Sequence, residues 1–137
     1  MLGATGILTR DIQEIGKAFR LAVFNVLTGN RDDHAKNFSF IRDKRWLLSP
    51  AYDLTFSPGT GGEHTTSLMG QGKPTRRDLE KLAAKHGIKP ASIIEEVRSA
   101  VARWPEFAAR LDIPGDRINA YQLRLQAIDR HVQGKTR

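Results

Sequence analysis

The chain is expected to fold as an α+β protein in which helices dominate and one β-hairpin supplies the strands. Apolar residues recur at three- and four-residue spacing over 11–28, and again through most of 75–134. Between these stretches, Phe38-Ser39-Phe40-Ile41 alternates, Arg42-Asp43-Lys44 turns, and Trp46-Leu47-Leu48 returns, the pattern of two short strands joined tightly. A polar stretch over 29–37 separates the first helix from the hairpin, and the chain reads as organised around it.

Residues 1–9 are small and apolar without a clear period. Their Gly3 and Gly6 form a G-x-x-G rather than a nucleotide-binding G-x-G-x-x-G, and we read a frayed start cut from a larger domain. The first helix follows, with Thr9 or Asp11 as its cap and Gly29 as its left-handed stop. Ile12, Ile15, Phe19, Ala22, Val23, Val26 and Leu27 face inward. Leu21 and Phe24 widen that face, so the helix should be buried on most sides. Trp46 and Tyr52 are expected in the core. After the hairpin, 50–54 delivers the lone carboxylate of Asp53.

Residues 55–74 carry five glycines, two prolines and six Ser or Thr. Loops of this length are uncommon in compact domains unless they bind or cover something, so a substrate-binding loop is expected here. Thr75 with Asp78 forms a capping box ahead of Leu79, Leu82 and Ala83, and Gly87 ends that helix. Pro90 opens another with Ile93, Ile94, Val97, Val101 and Trp104 inward, stopped by Pro105. A short segment near Phe107 precedes a last helix, capped by Asp116 and carrying Ile118, Tyr121, Leu125, Ile128 and Val132. There is no internal repeat and no second domain boundary.

Composition bounds the function. Of 137 residues, 27% are charged and 39% apolar, a globular balance that excludes a disordered chain. Without cysteine, disulfides and thiolate metal sites are impossible. No apolar run is long enough to span a bilayer and no signal peptide follows Met1, so a cytoplasmic protein with no membrane role is expected. A net charge of +7 favours an anionic partner.

The polar stretch holds the chemistry. Asp32 and Asn37 have the D-x-x-x-x-N spacing of a protein-kinase catalytic loop. A hairpin then brings Asp53 back towards Asn37, the order by which a base and two metal ligands gather around one phosphate. His34 reads as a hydrogen-bonding strut for the loop. His64, His86 and His131 lack ligand spacing, so zinc is not expected.

Residues 27–39, with Gly29, Asp32, His34, Lys36, Asn37 and Ser39, and the later Pro50-Ala51-Tyr52-Asp53, resemble the HipA family of toxin serine/threonine kinases. The resemblance continues through the Gly-rich loop, Pro74-Thr75 and Ala102-Arg103-Trp104-Pro105, and covers nearly all of this chain but only the C-terminal portion of such a kinase. It implies a kinase-like C-lobe over 1–137: catalytic loop 29–37, hairpin 38–48, metal-binding segment 50–54, Gly-rich loop 55–74 and helical tail 75–134. Asp32 would be the catalytic aspartate and Lys36 would face the transferring phosphate. Asn37 and Asp53 would hold Mg2+ on ATP, with His34 beside them. Implied partners are an N-lobe, an antitoxin, and a protein substrate with a Ser or Thr hydroxyl, with DNA reached only through the antitoxin.

The phosphate-covering glycine loop and a V-A-I-K-like lysine are absent, so the isolated chain should bind ATP weakly and turn over negligibly. It is then a fragment, a chain completed by a separate N-lobe, or a decayed remnant. Two other readings stand beside the enzyme. A non-catalytic regulatory protein could use the same scaffold. A helix-turn-helix over 79–97 would bind DNA through Arg76, Arg77 and Arg98, against the repulsion of Glu95 and Glu96.

Overall fold

A computed structural model describes residues 1–31, 35–56 and 73–135. It is mostly helical with one antiparallel two-stranded sheet. Six helices are described: α1 (Leu2–Thr9), α2 (Ile12–Thr28), α3 (Arg76–Lys85), α4 (Pro90–Ala102), α5 (Trp104–Ala109) and α6 (Gly115–Val132). The strands are β1 (Phe40–Arg42) and β2 (Trp46–Leu48), and a 3-10 turn covers Ala35–Asn37.

Residues 2–9 form a helix, where a frayed start was expected. Two glycines lower the intrinsic propensity of so short a segment, and tertiary packing overrides it. Leu2 and Thr5 are buried, and α1 packs on α2 and β2. Gly6 permits the approach, since a Cβ there would lie 3.2 Å from Ile15 Cδ1.

The central element is α2. Asp11 caps it by accepting the Gln13 N–H at 2.8 Å, and Gly29 stops it at φ 68°. Ala18, Phe19, Val23, Val26 and Leu27 are buried against α1, α4, α6 and β2. Ile12 departs from its expected inward place, at 54% exposed. In that first turn the buried side chain is Glu14 instead.

The hairpin pairs Phe40 with Leu48, Ile41 with Leu47 and Arg42 with Trp46. Beyond the strands, Ser49 N–H donates to the Ser39 carbonyl at 2.9 Å, and their hydroxyls meet at 2.9 Å. Leu48 alone of these six is buried. Trp46, expected in the core, lies on the outer side with the Arg42 guanidinium 5.7 Å above its ring. Only three residues pair in each strand, too little sheet to cover both faces.

In the helical tail, the Asp78 carboxylate accepts the Thr75 N–H at 2.9 Å and its hydroxyl at 2.7 Å. These bonds hold the Asp78 carboxyl below its ordinary value. Gly87 follows the C-cap at φ 68°, and Ile88 N–H reaches back to the Ala83 carbonyl at 2.9 Å. Leu79, Ala83, Ile94 and Val97 join the α2 core.

Two expectations shift here. α4 ends at Ala102, and Trp104 begins α5 with Pro105 in its first turn, so that proline starts a helix as much as it stops one. The last helix begins at Gly115 behind Pro114. Asp116 lies inside its first turn, where a carboxylate complements the exposed N–H groups. Along α6 only Val132 is buried, while Ile128 packs partly against the core. Among the described residues no helix is long and apolar enough to cross a membrane.

Candidate functional site

The candidate site is framed by the end of α2, which meets residues 54–56, and by the hairpin, which is anchored on the first turn of the same helix. A helix held by core packing presents its last residues with little freedom, and the polar loop starts from that anchor. The loop's first step is locked. Asn30, 2% exposed, donates its side-chain N–H to Asn25 Oδ1 at 3.2 Å and its backbone N–H to the Asn25 carbonyl at 3.0 Å. Asn25 is itself buried. An amide pair closed inside the fold sets the direction in which the chain leaves Gly29. Asn30 Oδ1 is buried without a partner among the described residues.

Asp32 and His34 lie outside the described residues, as does 57–72 of the Gly-rich loop. The chain is described again at the 3-10 turn, where Lys36 is exposed and Asn37 half-buried. Tyr52 supplies the link that sequence reasoning missed. Its hydroxyl donates to the Lys36 carbonyl at 2.7 Å, across sixteen residues. Tyr52 is 41% exposed rather than in the core where it was expected, because its phenol is spent on this bond at the surface. The next residue, Asp53, is exposed and holds φ 53°, a left-handed conformation that Asp tolerates better than most side chains. Loop end and carboxylate segment are thus tied together by one hydrogen bond.

Two further contacts, neither foreseen, orient the hairpin between them. Glu14, 2% exposed, accepts the Leu48 N–H through Oε2 at 2.8 Å and the Lys17 ammonium through Oε1 at 2.6 Å. Burial alone would raise the Glu14 carboxyl, yet the Lys17 ammonium and the Leu48 N–H outweigh it and hold the group below its ordinary value. Arg45 in the turn bonds Asp11 at 3.1 Å. A first-turn Glu that breaks an apolar stripe was the available signal.

The arrangement offers hard oxygen donors and little else for a metal. Among the described residues no three His, Asp or Glu cluster as ligands. One carboxylate, Asp53, and one amide, Asn37, suit magnesium, which takes few protein ligands and fills its shell with water and phosphate oxygens. That donor chemistry suits the Mg2+ that the resemblance to the HipA family implies.

The cations needed by a DNA-binding reading are largely committed elsewhere. Arg76 bonds Glu95 at 2.6 Å and Glu80 at 3.0 Å, and Arg98 bonds Asp129 at 2.7 Å and 2.9 Å. The Asp129 carboxylate and the Glu95 bond together raise the Arg98 guanidinium beyond its ordinary value, against the opposing effect of burial. These pairs bind α3, α4 and α6 into one block.

An α-helical protein with one hairpin, in which a polar loop and a carboxylate segment are pinned together, is the class these features define. Comparison with known families narrows it. The model of the HipA-like C-terminal domain matches residues 3–104, and the chain belongs to that family. It is 32% identical over 112 residues to a Sinorhizobium fredii protein named "Putative kinase Y4dM", a match that covers 76% of this chain. The matched stretch is 27% of the relative's own length.

Proposed function

We propose that this chain is the C-terminal portion of an ATP-dependent serine/threonine protein kinase belonging to a toxin–antitoxin pair. The observation that carries the reading is the bond from Tyr52 to Lys36, which joins the D-x-x-x-x-N loop to the segment bearing Asp53. Kinases gather a base and metal ligands from such segments because phosphoryl transfer is chiefly positioning and charge neutralisation. The family membership and the name of the Sinorhizobium relative support it.

In this reading Asp32 orients the substrate hydroxyl and accepts its proton as the oxygen attacks the γ-phosphorus. The bond to the β-phosphate oxygen breaks, and ADP leaves with that electron pair. Lys36 stands beside the charge shared over the transferring group, and His34 braces the loop. Asn37 and Asp53 would hold Mg2+, which when bound supplies positive charge against the phosphate oxygens. An N-lobe, as a separate chain or as part of a larger kinase, supplies the phosphate-covering loop and its lysine, an antitoxin restrains the assembly and reaches DNA, and the whole acts in the cytoplasm.

The test is transfer of labelled γ-phosphate to a protein substrate, with the chain alone and with the chain completed by an N-lobe that carries the phosphate-covering loop and its lysine. The isolated chain should give no Mg2+-dependent turnover. The completed protein should turn over, and Asp32→Ala should reduce that by about 10²-fold or more. Robust activity of the isolated chain, or full activity of Asp32→Ala, overturns the assignment. A biological effect untouched by Asp32→Ala would favour a non-catalytic interaction protein on the same scaffold.

A further inference from the structure

An open groove of about 720 Å³ runs between the end of α2, residues 54–56, the α4–α5 junction and α6. Its walls are apolar and incompletely covered: Leu111 is 72% exposed, Phe107 and Leu54 are each 43%, and Phe56 is 37%. Scattered apolar side chains are ordinary on a surface, whereas a contiguous set around one groove marks a contact site.

Charge identifies the occupant. Phe107 has the Arg103 guanidinium 5.1 Å and the Arg110 guanidinium 6.0 Å from its ring centre. Arg124 stands 5.3 Å from the Phe56 ring and 5.5 Å from that of Tyr121, and Arg117 lines the groove. Arg103 is paired with Glu106, but Arg110, Arg117 and Arg124 make no ion pair among the described residues. One acid, Asp112, also lines the groove. Arg117 and Arg124 are two turns apart on α6, about 10 Å along its axis. Acids spaced two turns apart on a second helix match that separation.

From this we infer that the groove docks an acidic amphipathic helix of a partner protein, its apolar face against the aromatic walls and its carboxylates on the free arginines. A nucleic acid fits less well. Arg103 and Arg124 already stand over the Phe107 and Phe56 rings on which bases would stack, and Leu54 and Leu111 add exposed aliphatic surface that stacking does not use. The inference is independent of the phosphotransfer reading, since binding is measured without nucleotide.

The probe is a fluorescein-labelled synthetic helix of about 16 residues, with leucines at i, i+3 or i+4 and i+7 flanked by glutamates. Anisotropy should report binding to the whole chain that weakens as salt rises from about 50 to about 500 mM. Leu111→Asp, at an exposed position, should weaken it at least about tenfold, as should Arg117→Glu with Arg124→Glu. Leu123→Asp, at a side chain 65% exposed and outside the groove, should leave binding unchanged. No binding, or equal binding of a peptide with lysines for glutamates, overturns the proposal. So does tighter binding of oligodeoxythymidylate, lost in the same variants, or self-association of the chain abolished by Leu111→Asp.

Discussion

Oε2 of Glu14, in the first turn of α2, accepts the backbone N–H of Leu48, the last residue of β2, at 2.8 Å. A buried carboxylate is costly unless its lone pairs are used, and here both oxygens are engaged. The contact fixes the hairpin against the central helix at the third residue of α2. It thereby sets where the chain bearing Asp53 sets out.

Glu14→Leu should cost about 2–3 kcal/mol, because a buried N–H loses its acceptor. Glu14→Gln, which keeps an acceptor, should cost about 1 kcal/mol. Urea unfolding midpoints at constant slope measure both, and equal costs for the two variants would refute the role given to the hydrogen bond.

The same carboxyl predicts a pH dependence. Its folded value lies below its ordinary 4.5, so its stabilising contribution is complete above that pH and is lost as pH falls through the folded value. Stability measured from neutral pH downward should therefore fall less steeply in Glu14→Gln than in the parent. Parallel curves would count against a depressed Glu14.

Gly29 and Gly87 share φ 68°, but their surroundings differ. A Cβ at Gly29 would sit 3.0 Å from Ile128 Cδ1 and 3.2 Å from Phe56 Cε2, while at Gly87 nothing lies within 4 Å. Gly87→Ala should cost about 1 kcal/mol for backbone conformation alone. Gly29→Ala should cost about 2–3 kcal/mol, the excess reflecting displaced neighbours. Thermal or urea unfolding of the pair gives that difference directly.

Arg98 grips Asp129 with two parallel bonds, joining α4 to α6. Both side chains are about one-third exposed, which limits the pair to a coupling of about 1 kcal/mol in a double-mutant cycle with alanine. Coupling should shrink at about 1 M salt. A cycle that closes to zero at low salt would make the pair incidental.

Tyr52→Phe removes one hydroxyl at an exposed position and should change stability by less than about 1 kcal/mol. In a completed kinase it should nevertheless lower turnover, because the loop end is released from the Asp53 segment. Unchanged activity would separate the Tyr52 bond from the site.

Much of the architecture was legible because local chemistry declared it. Apolar spacing exposed α2 and the tail helices, Asp11 and Gly29 marked the bounds of one, and Thr75 with Asp78 opened another. The hairpin followed from alternation around a polar turn. Where local preference was weak the reading failed: α1 is a helix only because Leu2, Thr5 and Gly6 find α2 to pack on.

Sequence alone determined α2, the hairpin and the tail helices in their order, the spacing of Asp and Asn in the polar stretch, and the family to which the chain belongs. These rest on neighbours a few residues apart and on the side chains themselves. Only the tertiary structure decided that Glu14 would hold Leu48, that Asn30 would close on Asn25, and that Tyr52 would turn outward to bind Lys36. Such bonds join elements whose relative placement depends on the packing of the whole core, and no spacing along the chain encodes it.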